Sequence, residues 1–166
     1  EFDTAVFTNL TQDHLDFHKT FENYVAAKAK LFQGLTAGDT VKGNKTAVVN
    51  VDDPYAKDIL AACRGNVLTY GVEQEADLRG SSLQVELKKS SFHVSGPFGS
   101  VDLQMHITGL FNVYNTLAAI GAAHAEGVDT ATIDQAIQTF RSVPGRFELV
   151  EAGQDFAIVV DYSHTP

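Results

Sequence analysis

A mixed α/β fold, with a mostly parallel sheet flanked by helices and a small antiparallel β subdomain, is what this sequence predicts. Three observations carry the prediction. Short apolar runs alternate with helical stretches in the first part of the chain, which is the punctuation of βαβ units. Strict apolar–polar alternation takes over at 82–108, as in an antiparallel meander. Helical spacing returns from Leu110 and is broken at Val143-Pro144-Gly145.

In chain order, 3–8 is a first strand running into the polar stretch 9–18. A helix follows over 21–35, with Phe21, Tyr24, Val25, Lys28, Leu31, Phe32 and Leu35 at inward spacing. The run 46–51 is a second strand, Asp52-Asp53-Pro54 opens a helix reaching Cys63, and 67–70 is a third strand. In the meander, Leu83, Val85 and Leu87, then Phe92 and Val94, then Val101, Leu103, Met105 and Ile107 alternate with polar residues, and Gly96-Pro97 and Gly99 mark turns. Helices are expected over 110–126, with Leu110, Val113, Leu117 and Ile120 as the core face and Gly127 closing it, and over 130–140, where Ile133, Ala136, Ile137 and Phe140 form the buried face. Two strand-like runs, 147–151 and 156–160, lie beyond the break and begin another unit. There is no internal repeat or low-complexity tract.

The 166 residues are 44% hydrophobic and 20% charged, ordinary for a globular domain able to bury a core. No apolar stretch approaches the roughly 20 residues that span a bilayer, so no membrane segment is expected; the first residues lack a secretory pattern, and the expected location is cytoplasmic. A net charge of -9 argues against a general nucleic-acid binder. The one cysteine, Cys63, rules out an intramolecular disulfide and reads as a small core residue. The chain lacks an initiating Met and stops just after an apolar run, as expected of a segment cut from a longer protein.

Lys28 stands out because it occupies a position on the apolar stripe where leucine is usual. A buried ammonium must be paired, deprotonated or chemically altered; the other reading is a lysine snorkelling to the surface. Just upstream, Asp13, His14, Asp16 and His18 supply two carboxylates and two imidazoles within six residues, so a metal or phosphate site is worth considering. Asn112 and Asn115 share one flank of the helix from Leu110, where paired amides cap a helix or read a planar ligand such as a nucleobase. Arg146, in Gly145-Arg146-Phe147-Glu148, is either a solvated loop charge or a fork for a phosphate. Asp161, at the end of an apolar run, is either a ligand-facing carboxylate or a turn residue.

The order of these residues closely resembles the Mur ligases. The resemblance rests on 8–18, then Tyr24, Ala27-Lys28 and Leu31-Phe32, then Gly109-Leu110-Phe111-Asn112-Val113-Tyr114-Asn115, Gly145-Arg146-Phe147-Glu148, and Asp161-Tyr162-Ser163-His164-Thr165-Pro166, where Ser163 replaces the usual Ala. It spans nearly the whole chain. The Asp-His-Leu-Asp-aromatic-His run is similar to that of the branch that adds a diamino acid, meso-diaminopimelate or L-lysine, to UDP-MurNAc-L-Ala-D-Glu through an acyl phosphate, with ATP and Mg²⁺.

That resemblance implies an ATP-dependent acid–amino-acid ligase of peptidoglycan synthesis, monomeric when whole. It implies that Lys28 is carbamylated and with His14 holds Mg²⁺, that Asp13, Asp16 and His18 support them, and that Asn115 contacts adenine, Arg146 the phosphates and Asp161 the ribose. It further implies that 1–142 is the later part of the central ATP-binding domain, with the antiparallel piece at about 82–108, and that 143–166 is the linker and the start of the C-terminal domain. No Gly-rich phosphate loop with Lys-Ser/Thr is present in these residues, so the segment alone is expected to be inactive. The alternatives are another ligase of the same superfamily, a non-catalytic nucleotide-binding module, and a plain metal-binding domain.

Overall fold

The computed structural model describes residues 2–12, 15–35, 45–150 and 152–162. The expected mixed fold is present as one continuous six-stranded sheet. Strands β1 (Thr4–Phe7), β2 (Thr46–Asn50), β3 (Asn66–Gly71), β4 (Leu78–Val85), β5 (Ser90–Gly96) and β6 (Gly99–Met105) lie in that order. The first four run parallel and β4–β5–β6 are antiparallel. The antiparallel piece is therefore an extension of the parallel sheet. It is joined through only two register pairs, Tyr70↔Leu78 and Gly71↔Arg79. A separate two-stranded sheet, β7 (Glu148–Val150) with β8 (Ile158–Val160), follows the break at 143–145.

Helices cover both faces, which is why β2 reads as a continuous apolar run. Ala47 and Val49 point into one core and Val48 into the other, all with no solvent exposure. On the first face lie α1 (Leu15–His18), α2 (Phe21–Gln33) and α3 (Ala56–Ala62), where Phe7, Val25, Phe32, Leu35 and Ile59 form the core. On the second lie α4 (Leu110–Ala125) and α5 (Thr130–Thr139), with Tyr70, Leu78, Val94, Met105, Val113 and Leu117. Burying each such side chain contributes about 1.5–3 kcal/mol.

Caps explain several boundaries. Thr20 is extended, and its side chain accepts from the Asn23 N–H to start α2. Asp129 does the same for α5, accepting from Thr132 N–H at 3.0 Å and from the Thr132 hydroxyl at 2.7 Å. Gly109 opens α4 at φ 96° with no side-chain cap, a backbone angle that favours glycine.

Three expectations need correction. The buried stripe of α2 is Val25, Ala29 and Phe32, so Tyr24 and Lys28 sit on its flank and Leu31 is exposed. Ala29 is too small to mark the stripe in the sequence, yet the i, i+4, i+7 row of Val25, Ala29 and Phe32 centres on it. Leu110, expected in the α4 core, is 48% exposed. In α5 only Ile133 is buried; Ala136, Ile137 and Phe140 instead line a cavity.

Candidate functional site

The carboxyl ends of β1, β2 and β3 converge on the first turns of α4, the edge at which open α/β sheets bind ligands. Four segments meet there: 8–12 after β1, 50–53 after β2, 71–74 after β3 and 109–115 at the start of α4. Asp52 is at their centre. One of its oxygens accepts from Val72 N–H (2.6 Å), Glu73 N–H (2.9 Å) and the Tyr114 hydroxyl (2.8 Å), and the other from Gln74 N–H (2.8 Å). Partial burial opposes its charge, but these four donors outweigh the burial and hold the carboxyl below its ordinary range. Burial, then the hydrogen bond to Asp52, pushes the Tyr114 hydroxyl well above the usual tyrosine value. Tyr70 is raised in the same direction, first by burial and then by the charge of Asp53, and its hydroxyl donates to Phe7 C=O at 3.3 Å.

Between α4, α5 and the end of β6 lies a cavity of about 330 Å³. Met105, Ile107, Thr116, Ile137 and Phe140 form its walls, and Asn112 and Asn115 supply amides. Asn112 is committed to structure, donating to Thr108 C=O at 2.7 Å. Asn115 is exposed and among the described residues reaches only a 3.4 Å bond to Asn112, which leaves its carbonyl and one N–H for a ligand. Apolar walls with one amide at the rim fit a flat heteroaromatic base.

The turn at 143–146 borders this cavity through Val143. Gly145 and Phe147 both have positive φ, 69° and 48°, and Phe147 packs edge-on against Phe111 of α4 at 6.1 Å. The Arg146 guanidinium lies 5.0 Å from the centre of the Tyr162 ring, and Tyr162 N–H donates to Gly145 C=O at 2.9 Å. Asp161, exposed at the end of β8, immediately precedes Tyr162. Arg146 and Asp161 are thus brought to one junction beside the Asn115 cavity. A second, basic groove of about 770 Å³ adjoins it, with Lys88, Lys89, His106 and Arg141 in its lining.

Lys28 is elsewhere. It is half-buried on α2, across the sheet from α4, and does not line the Asn115 cavity. Its Nζ lies 5.0 Å from the centre of the Tyr24 ring, and Tyr24 stacks on His18 at 4.5 Å. The cation therefore has an aromatic partner. His14 and Asp13 lie outside the described residues, as do Ser163, His164, Thr165 and Pro166. Among the described residues no group of three His, Cys, Asp or Glu side chains converges on a metal position. Unmodified Lys28 is a poor donor for a hard cation; a carbamate on its Nζ would supply the oxygens that Mg²⁺ prefers.

Sequence reasoning missed Asp52 and Tyr114. Their signal is Asn50, Asp52 and Asp53 at the end of an apolar strand, but Asp52-Asp53-Pro54 equally predicts the opening of a helix, which begins only at Ala56.

These features define an α/β domain with a polar network at the carboxyl ends of its parallel strands and an apolar cavity between α4, α5 and β6. The chain belongs to the Mur ligase family: the Mur ligase middle domain matches residues 1–123. It is 45% identical over 168 aligned residues to a UDP-N-acetylmuramoyl-L-alanyl-D-glutamate–2,6-diaminopimelate ligase of Syntrophomonas wolfei, covering 100% of this chain and 33% of that protein. A protein of the same name from Bacillus licheniformis is 43% identical, with 100% and 34% covered. The chain thus spans about a third of the length of the curated relatives it matches. A solved structure of a ligase of that name superposes with a TM-score of 0.81 at 32% identity, over 98% of this chain and 33% of that one. MurF from Acinetobacter baumannii shares the fold, with a TM-score of 0.84 at 18% identity over 99% of this chain and 34% of that one.

Proposed function

We propose that this chain is part of an ATP-dependent MurE-type ligase that adds 2,6-diaminopimelate to UDP-MurNAc-L-Ala-D-Glu in the cytoplasm. The observation that carries the reading is the match to diaminopimelate ligases at 45% and 43% identity over the entire chain. The MurF neighbour shares the fold at only 18%. No helix among the described residues is long and apolar enough to cross a membrane.

In this reading Asn115 orients adenine in the apolar cavity, Arg146 presents its fork to the nucleotide phosphates, and Asp161 accepts from the ribose hydroxyls. Lys28, as its carbamate, and His14 would hold Mg²⁺. When bound, the metal would offset repulsion between the nucleotide and the acceptor carboxylate. The γ-phosphoryl group passes to that carboxylate, releasing ADP and leaving an acyl phosphate. The amine of the diamino acid then attacks the acyl carbon, phosphate leaves, and the amine loses a proton. Positioning and electrostatics carry the catalysis.

Residues 1–142 would belong to the central ATP-binding domain and 143–166 to the linker and the start of the next. The change of sheet after 143–145 supports that division. The whole enzyme is proposed to act as a monomer. The 166 residues alone are proposed to be inactive, because they carry no Gly-rich phosphate loop.

The test is phosphate release by the intact ligase with ATP, Mg²⁺ and UDP-MurNAc-L-Ala-D-Glu, comparing meso-diaminopimelate, L-lysine and no amino acid. Turnover requiring the nucleotide sugar and diaminopimelate is expected. Turnover with L-lysine instead would change the acceptor, and none with either would reject the reading.

A further inference from the structure

Two segments that the proposed function makes critical lack regular structure or a side-chain cap of their own. Residues 8–12 have no regular structure and come just before Asp13 and His14 in the sequence. The start of α4, which carries Asn115, has no side-chain cap. The loop at 50–53 grips both. Asn50 Nδ2 donates to Thr8 C=O at 2.8 Å, and Asp53 Oδ2 accepts from Leu10 N–H at 2.9 Å. On the other side Asp52 accepts from the Tyr114 hydroxyl at 2.8 Å. Asn50 Oδ1 accepts from Asp52 N–H at 3.1 Å, tying the two grips together.

Neither carboxylate has the character of a ligand. Asp52 is committed to four donors, and the second oxygen of Asp53 accepts from Tyr55 N–H at 2.9 Å. Their geometry is fixed from behind as well. A Cβ on Gly71 would lie 3.0 Å from both Asp52 oxygens, and Asp53 is only 9% exposed. A carboxylate whose two oxygens both accept from main-chain N–H groups is a joint: it sets where those backbones run.

We infer that the 50–53 loop is a clamp that sets the spacing between the segment preceding His14 in the sequence and the helix that carries Asn115, which makes Asp53, Asp52 and Tyr114 positioning residues for Mg²⁺ and nucleotide binding. Asp53 holds the metal side and the Asp52–Tyr114 pair holds the nucleotide side. The catalytic part of this inference rests on the function proposed above; the clamp itself rests on the hydrogen bonds alone.

The experiment takes the intact ligase with Tyr114→Phe and, separately, Asp53→Asn, and measures KM for ATP, kcat, the Mg²⁺ concentration for half-maximal rate, thermal midpoint and amide exchange. Tyr114→Phe is expected to raise KM for ATP roughly three- to tenfold, as the loss of one charge-assisted bond would, with kcat and the Mg²⁺ requirement near wild type. Asp53→Asn is expected to raise the Mg²⁺ requirement by a similar factor and leave KM for ATP at saturating Mg²⁺ unchanged. It should also speed exchange across 8–12 but not across 72–74. Lower thermal midpoints with wild-type constants in both variants would reduce the clamp to scaffolding and overturn the role. Unaltered exchange at 8–12 in Asp53→Asn would overturn the clamp whatever the activity. If the unsubstituted ligase showed no ATP-dependent turnover, the functional reading and the positioning role would fail together, and the exchange data would still judge the clamp.

Discussion

Gly121 of α4 lies so close to Val48 of β2 that a Cβ built on it would be 2.7 Å from Val48 Cγ1. The helix rests directly on the sheet at that point, and Val48 has no exposure through which to move away. Gly121→Ala is therefore expected to destabilise the chain by about 1–3 kcal/mol, although alanine is the better helix former. Denaturant unfolding of the two forms checks this, and a stabilised variant would show that α4 can lift from β2 without cost.

Acid should weaken the Asp52 network. Its carboxyl is held below the ordinary range in the folded chain, so its contribution is fully present above the unfolded value of about 3.9 and is lost as pH falls through the lower folded value. The stability gap between wild type and Asp52→Ala should then be widest near neutral pH and close progressively below about pH 4. Urea titrations at a series of pH values measure it; a gap independent of pH would mean that Asp52 acts by shape alone.

Removing the Asn115 amide should weaken nucleotide binding and spare the fold, because the side chain is exposed and its one side-chain hydrogen bond among the described residues is long at 3.4 Å. Asn115→Ala in the intact ligase is expected to raise KM for ATP by roughly tenfold, about 1.4 kcal/mol. Unchanged KM for ATP would remove Asn115 from the site.

Lys28→Ala should separate chemistry from stability. Half-buried over Tyr24, Lys28 contributes at most about 0.5–1 kcal/mol through the ring as the unmodified cation and none of it as the carbamate, so the fold should survive. Acyl phosphate formation by the intact ligase is expected to disappear. Full activity without an added carboxylate would end the proposed metal role.

What the sequence made visible follows from how local each signal is. The apolar run of β2 and the helix over Val113, Leu117 and Ile120 were legible because their periods repeat within a few residues. The start of β4 at Leu78 was not. Arg79 and Gly80 break the apolar pattern, and the strand exists there because Tyr70 and Gly71 pair with it from across a turn. The α2 stripe was misplaced by one flank because Ala29 carries too little side chain to register. Of the candidate site, Asn115, Arg146 and Asp161 stand out in their motifs, and their ligand roles belong to the proposal, whereas the Asp52–Tyr114 bond joins positions 62 residues apart, and nothing in either neighbourhood names the other. Lys28 attracted notice for a burial that is only partial.

The placement of α4 also has a consequence for synthesis on the ribosome. The antiparallel strands β4, β5 and β6 pair with immediate neighbours and can form as soon as they emerge. The sheet face bearing Val48, Tyr70 and Leu78, by contrast, is covered by Val113, Leu117 and Ile120 from a helix ending only at Ala125. Until that helix has left the exit tunnel, the nascent chain presents an open apolar surface, the kind that chaperones hold. Slow translation through 86–109 would lengthen that exposure, and rapid delivery of α4 would shorten it.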